Sequence, residues 1–553
     1  MKSVVKISIL TAIFAIAMFS CDIEGTKIYV ENMTIAIAPV PGTGNKVNLG
    51  SVLTATVTVI PEDAKNKSVT FISSNPDVIS VISSGSGGTL KAEKVGQATI
   101  TATANDGSGI SASITLTVVV PDITVTVSGT NLYTGTAIVP SGANITVKAG
   151  DITLTEGKDY TLSYTNNIEV GTATVTATGA GIYAGCTGKA NFTIAAFTGS
   201  GTSTAPYEID TPMRLALLAK LVNAGTAPYA NAGIYYELTS DINLDVAPYN
   251  SGTGWTPIGL GNYGFKGHFY GNNHIVSGLY INNTSLASAG LFGYITNGTV
   301  RNVGVKGGIV TGKRYVGGVA GYLNGSSIVN CYAASTVTGN DATGGIVGYL
   351  VNSSVTNCYA AGTVNGSNYV GGVVGEMNIG TITNCYAMNT VNGSNRVGGV
   401  AGDVNGFGYS KVTNCYVTGT VSGNSSVGGV AGYVFYGSSV AYCVALNSSI
   451  ARIGSSNAFG RVVGYESTGS AISYNVALIG MTLPSGANGN NGTSITAAEA
   501  KTQITYSGSG ANQLGWSFGS NDASPWKMSV GAYSLPVFYW QTTAPAAMPT
   551  HLQ

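Results

Sequence analysis

The chain has 553 residues, a formal net charge of zero, 9% charged residues and 78 glycines. There is no basic stripe to track a phosphate backbone, which excludes nucleic acid as a partner, and a charged fraction far below the usual ~25% leaves solubility to Ser, Thr, Asn and Gly. The 44% of apolar residues argues against disorder, and the length allows several domains.

Lys2 and Lys6 precede an apolar run, Ile7 to Phe19, that ends at Ser20-Cys21. Basic, then apolar, then small is the order of a secretory signal. The run is shorter than the about 20 residues a membrane-spanning helix needs. A cysteine directly after the small residue resembles a bacterial lipoprotein cleavage site, with Met18 where Leu is usual. The resemblance implies removal of residues 1–20, lipidation of Cys21, and attachment to a membrane through the lipid, with the protein exposed on an outer-membrane surface. An ordinary signal peptide is the other reading.

Residues 21–120 hold short alternating runs such as Leu53–Val59, Ser68–Ser74, Ala98–Thr103 and Ser111–Val118. That spacing suits a β-sandwich. With Pro61, Ser73-Ser-Asn-Pro76 and Val95-Gly-Gln-Ala-Thr-Ile-Thr101, the segment resembles the group 2 bacterial immunoglobulin-like domain, Phe71 standing where that family usually has Trp. Residues 121–196 resemble a second immunoglobulin-like module, through Leu154–Asn167, Val170–Thr176 and Asn191–Ile194. Neither holds a catalytic set, and a supporting role is expected.

Residues 197–300 are expected to close one end of a longer structure and begin its first coils. Thr211-Pro212 predicts a helix, with Thr as N-cap and Pro at the first helical position. Leu215, Leu218 and Val222 share its face. Asp241, Asn243 and Asp245 alternate, which could place three oxygen ligands for calcium on one strand face, although an exposed polar face is expected instead. His274 reads as a turn residue. No metal or cofactor is expected.

Residues 301–480 repeat. Cys331, Cys358, Cys385, Cys415 and Cys443 are 27, 27, 30 and 28 residues apart, a period that means a solenoid or propeller. Three short strands and three corners use about 27 residues, so the fold expected is all-β: two immunoglobulin-like sandwiches, then a parallel β-helix with coils about 4.8 Å apart and a short capping helix. Val300, Ile328, Val355, Ile382, Val412, Val440 and Ile472 form one inward column and the cysteines another, as buried thiols or, alternatively, as disulfides between coils. Asn302, Asn330, Asn357, Asn384 and Asn414 should stack at the corner between them. Gly-Gly pairs from Gly317-Gly318 to Gly428-Gly429 mark a second corner, needing positive φ or close approach. The Gly-Gly-x-x-Gly core, over roughly Gly290 to Gly464, resembles the GLUG-type repeat of bacterial surface proteins. That repeat turns up in adhesin-like lipoproteins and beside protease domains; the zinc motif H-E-x-x-H of the latter does not occur in this sequence.

Tyr332, Tyr359, Tyr386 and Tyr416 each follow an inward cysteine, so they should point outward as an aromatic strip about 14 Å long, suited to flat sugar faces or a protein partner. This strip is the candidate binding surface. Glu376 and Asp403 share a column on adjacent coils, the spacing of a retaining glycosidase pair. The column is otherwise Tyr294, Tyr322, Tyr349, Tyr433 and Tyr465, so water-facing acids are expected and no catalytic residue is assigned. Large rings in residues 481–541 should cap the far end, with Thr482–Ser509 looping out, before a tail at 542–553. The expected protein is a non-enzymatic, lipid-anchored surface protein that binds a glycan or protein ligand. A polysaccharide-active enzyme and a purely structural envelope component are the alternatives.

Overall fold

The computed structural model describes residues 27–406, 409–454, 456, 458–487, 492–510, 513–543, 545 and 547–553; Cys21 lies outside them. Two compact units emerge, one of residues up to 131 with 136–194, the other of 132–135 with 195–553.

In the first unit, Asn32–Ala38, Val52–Ile60, Gly87–Ala92 and Ile79–Ser84 form one four-stranded sheet. Lys46–Asn48, Ser111–Val119, Gly96–Ala104 and Val69–Ser73 form the facing one. Alternation puts Leu53, Ala55, Phe71, Leu90, Ile100 and Leu116 between them, all buried. Phe71 fills the core position that the sequence reserves for a large ring. A second sandwich follows, with a four-stranded sheet built on Thr187–Ala195 and Gly171–Gly179 and a three-stranded sheet around Ile145–Ala149.

The second unit is a stack of coils whose strands pair in parallel with those of the coils before and after. Its three parallel sheets have 15, 14 and 7 strands. One coil shows the plan: Tyr315–Gly317 lies in the smallest sheet, Ala320–Asn324 and Ser327–Val329 in the largest, and Tyr332–Thr338 in the third. The register repeats with the sequence period: Ile328 pairs with Val355, Val355 with Ile382, and Ile382 with Val412. The apolar column is inward and fully buried from Val300 to Val440, and half-buried at Ile472 in the last of these coils.

The two corners differ in cause. The Asn column has φ between 52° and 56°, the left-handed region that Asn tolerates best among residues with a side chain. The Gly-Gly pairs are not left-handed; they are needed for contact. A Cβ on Gly318 would lie 2.6 Å from both the Ala333 methyl and the Gly345 carbonyl oxygen.

The cysteines are free and buried, and they do more than fill space. Each thiol lies 3.1–3.3 Å from the carbonyl two residues back. The sulfur of Cys358 also accepts the Cys331 N–H at 3.4 Å, and that of Cys415 accepts the Cys385 N–H at 3.4 Å. Sulfur thus partners corner amides that would otherwise be buried alone. Asn475 ends the column, its Oδ1 accepting the Cys443 N–H at 2.8 Å. Burial pushes the thiols of Cys331, Cys358 and Cys415 above their ordinary range.

The predicted helix spans Pro212–Asn223, with Thr211 capping the Arg214 N–H and Leu215, Leu218 and Val222 buried. Residues 482–509 do not simply loop out. Thr493–Ile495 adds a strand to the third sheet, and two short helices follow at Ala497–Ala500 and Gln503–Ser507. The large rings after them do not sit over the far end. They lie along the flank of the coils, from Tyr442, whose carbonyl accepts the Trp516 indole N–H, to Arg301, which pairs with Asp522.

Candidate ligand site at the open end of a tyrosine ladder

The left-handed Asn corner fixes the site. Each carboxamide Nδ2 donates to the Oδ1 one coil earlier: Asn414 to Asn384, Asn384 to Asn357, Asn357 to Asn330, and Asn330 to Asn302, at 3.0–3.3 Å. The ladder therefore has a direction. It ends at Asn302 with an Nδ2 that has no protein partner among the described residues.

Two residues after each Asn from Asn330 to Asn414 stands a tyrosine, and the backbone reversal at the corner sends it out of the coil as the sequence predicts. Successive rings lie 4.8, 4.9 and 4.8 Å apart and within 3–7° of parallel. Ring faces are thus taken up by neighbouring rings, not turned to solvent in a row. Cover differs along the strip. Tyr386 and Tyr416 are 0% exposed, which corrects the expectation of four exposed rings. Phe538 and Trp526 pack on Tyr386, and Trp526 and Trp516 on Tyr416. The Tyr386 hydroxyl donates to Gln541 Oε1 at 2.7 Å, and the Tyr416 hydroxyl donates to the Pro536 carbonyl at 2.7 Å. Burial pushes both phenols well above their ordinary range. The C-terminal segment occupies the part of the strip that a ligand was expected to use.

Tyr332 and Tyr359 remain only half-buried. The ladder stops at Tyr332 because the coil before it has Gly304 at that position. A Cβ there would come within 2.2–2.3 Å of Tyr332 ring atoms and 2.6 Å of its hydroxyl. Beside these two rings is a cavity of about 340 Å³, bounded by Asn302, Lys306, Asn330 and Trp540. The Trp540 ring lies 6.0 Å from that of Tyr359 and 20° from parallel. Of the lining residues, Asn330 is held by Asp522, which accepts from Asn330 Nδ2 at 2.7 Å and from the Tyr539 hydroxyl at 2.7 Å. The arrangement offers flat apolar walls beside amide and ammonium donors, which is the mixture small-ligand sites use.

The second predicted pair comes together differently from a glycosidase centre. Glu376 and Asp403 are register partners on adjacent coils. Asp403 is 1% exposed and held by Arg396 at 2.5 Å through Oδ2, while its Oδ1 is buried without a partner among the described residues. Arg396 lies over the rings of Tyr433 and Tyr369. Burial, reinforced by the charge of Asp403, raises the Glu376 carboxyl to about 7. Burial also raises Asp403 to about 6, against the pull of Arg396. An acid this enclosed and ion-paired has no open face for a sugar carbon. Asp241, Asn243 and Asp245 do not converge either: Asp241 accepts the Ile275 N–H and contacts His274, Asn243 accepts the Asp245 N–H, and Asp245 accepts from Asn250.

Comparison with known proteins agrees with the two units. Residues 44–115 match the bacterial Ig-like domain (group 2), and residues 312–338 and 339–365 each match the GLUG motif. A putative Gly-rich membrane protein of Evansella cellulosilytica is 36% identical over 114 residues, which are 20% of this chain and 12% of that protein. Halomucin of Haloquadratum walsbyi is 37% identical over 139 residues, 24% of this chain and 1% of that protein. The chain thus spans only a small part of either relative. Among solved structures, domains 5–6 of the S-layer protein SbsC cover 29% of this chain and 96% of their own at 16% identity and a TM-score of 0.13. The Yersinia pseudotuberculosis adhesin InvE covers 30% and 60%, at 16% identity and a TM-score of 0.15. The chain joins a group 2 bacterial Ig-like domain to an all-β parallel solenoid that carries the GLUG motif.

Proposed function

We propose that this is an exported surface protein, lipid-anchored at Cys21, whose solenoid binds a glycan or protein ligand in adhesion and performs no catalysis. The observation that carries the reading is the cavity beside Tyr332 and Tyr359, the one stretch of the ladder that the chain's own C-terminal segment leaves open. The basic-apolar-Ser20-Cys21 start supports export and anchoring, and the relatives' names, a membrane protein and a halomucin, support the cell surface. Enclosure of Asp403 supports a non-enzymatic role.

A glycan array and a cell-adhesion assay with the full chain, wild type beside Tyr332→Ser, test the site. Binding should fall several-fold in the variant while thermal unfolding changes little. Equal binding by both proteins would overturn the site. Cys21→Ser should leave the protein unprocessed or released to the medium; a variant that is cleaved and membrane-bound as before would overturn the anchor.

A further inference from the structure

The donors around the cavity say more than its shape. The amide ladder spends every Nδ2 from Asn330 to Asn414 on the coil before, and its direction leaves the Asn302 Nδ2 unspent at the cavity wall. The side chain of Lys306, an exposed residue on the same wall, makes no hydrogen bond or ion pair among the described residues. The carboxylates nearby are already engaged. Asp241, whose charge acts on Tyr332, accepts the Ile275 N–H and contacts His274. Asp522 is held by Asn330, Tyr539 and Arg301. Gln541 is likewise used at both ends, by the Tyr386 hydroxyl and the Thr543 carbonyl. Among the groups this wall leaves without a protein partner are the Asn302 amide donor and the Lys306 ammonium, beside the rings of Tyr332, Tyr359 and Trp540.

We propose that the cavity takes a carboxylate-bearing sugar, a uronic-acid-type residue of an acidic polysaccharide. Its carboxylate meets Lys306 and the Asn302 amide, and its apolar face lies against Tyr332, the end ring of the ladder with a stacked neighbour on one side only, and against Trp540. Charge-assisted donors favour an anion over a neutral hydroxyl, and aromatic walls accept the C–H face of a pyranose. A volume of about 340 Å³ suits one or two sugar units rather than a long chain. This deepens the proposed function and rests on the same site.

The test is calorimetric titration of the full chain with oligogalacturonate and oligomannuronate, each beside its methyl ester, so that ring and length are kept and only the charge is removed. The acid forms should bind at least tenfold tighter than the esters. Lys306→Ala should abolish that preference with an unchanged unfolding midpoint, and raising the salt concentration should weaken only the acid forms. Equal binding of acid and ester, lost in Tyr332→Ser, would overturn the carboxylate while leaving the cavity as the binding site. Binding of both that survives Tyr332→Ser would overturn the cavity itself. Binding of none of the four probes would overturn the uronic-acid class, and the glycan array would then decide whether the cavity binds anything else.

Discussion

Tyr332 and Tyr386 occupy the same position of the same repeat, two coils apart, yet one lines a cavity and the other is sealed. Nothing within the repeat distinguishes them, since both follow Asn-Cys at a left-handed corner. The difference comes from residues 516–541, more than 100 positions later, which lay Trp516, Trp526, Phe538 and Trp540 along the ladder. A repeat sets the direction of a side chain; the segment that packs on it decides whether that side chain is core or surface.

The largest expected effect breaks that comparison directly. Tyr386→Ser deletes a buried ring that contacts Tyr359, Tyr416, Trp526 and Phe538, and strands Gln541. Loss of a large core side chain costs about 3–5 kcal/mol. Tyr332→Ser, at the half-buried end, should cost about 1 kcal/mol. Chemical denaturation of the two variants checks this, and equal losses would mean that the cover over Tyr386 contributes little.

The acid pair sharpens the comparison on another face, where two coils carry Glu376 and Asp403 between neighbours that carry Tyr349 and Tyr433. The Glu376 carboxyl titrates at about 7 in the folded chain against 4.5 when exposed. A raised pKa means the folded state holds the proton more tightly. Its contribution is therefore fully present below about 4.5 and is lost as pH rises to about 7. Asp403, raised from 3.8 to about 6, acts in the same direction. Unfolding free energy should fall by roughly 4 kcal/mol between pH 5 and pH 8. Glu376→Gln, which removes the titrating carboxyl, should remove most of that fall and be the more stable protein at pH 8. A wild-type stability that is flat over this window would show that the pair is solvated.

Much of this was legible in the residues. The spacing of Cys331 to Cys443 gave the coil, and the fixed interval from Val355 to Cys358 gave the corner and its Asn. Repetition helps because each column is sampled several times. The polar work of the cysteines was missed, since apolar neighbours made them look like small hydrophobes; only the change to Asn475 in their column hinted at a hydrogen-bonding need. The C-terminal cover was missed because residues 514–541 do not repeat and their partners are distant in sequence. One signal was present: three of the chain's four tryptophans lie between 516 and 540, enough flat surface to meet a row of outward rings.

The cysteine column gives an intermediate effect. Cys358→Val keeps the site apolar, with one more methyl group to fit, but removes the acceptor of the Cys331 N–H and the thiol bonded to the Thr356 carbonyl. A buried amide left alone costs about 1–3 kcal/mol, so Cys358→Val should lose about 2 kcal/mol and Cys358→Ser less, as its hydroxyl can serve both partners. The reverse order in thermal unfolding would return the column to simple packing.

The smallest expected effect tests the direction of the amide ladder, and through it the site. Asn357 and Asn302 share the left-handed corner, with φ of 55° at each. Replacing either by Gly keeps that backbone without strain and deletes only the carboxamide. Asn357→Gly loses the bond to Asn330, the bond from Asn384 and the bond to the Asp522 carbonyl. Asn302→Gly loses a single bond, the one accepted from Asn330. At about 1 kcal/mol per net hydrogen bond, less what water returns, the first should cost about 2 kcal/mol and the second about 0.5 kcal/mol. The two should trade places in binding: Asn302→Gly removes the donor left over at the cavity, so affinity for an acidic sugar should drop several-fold in the more stable variant. If Asn302→Gly binds like wild type, the unspent amide is only the end of a stack, and the donor face of the cavity reduces to Lys306.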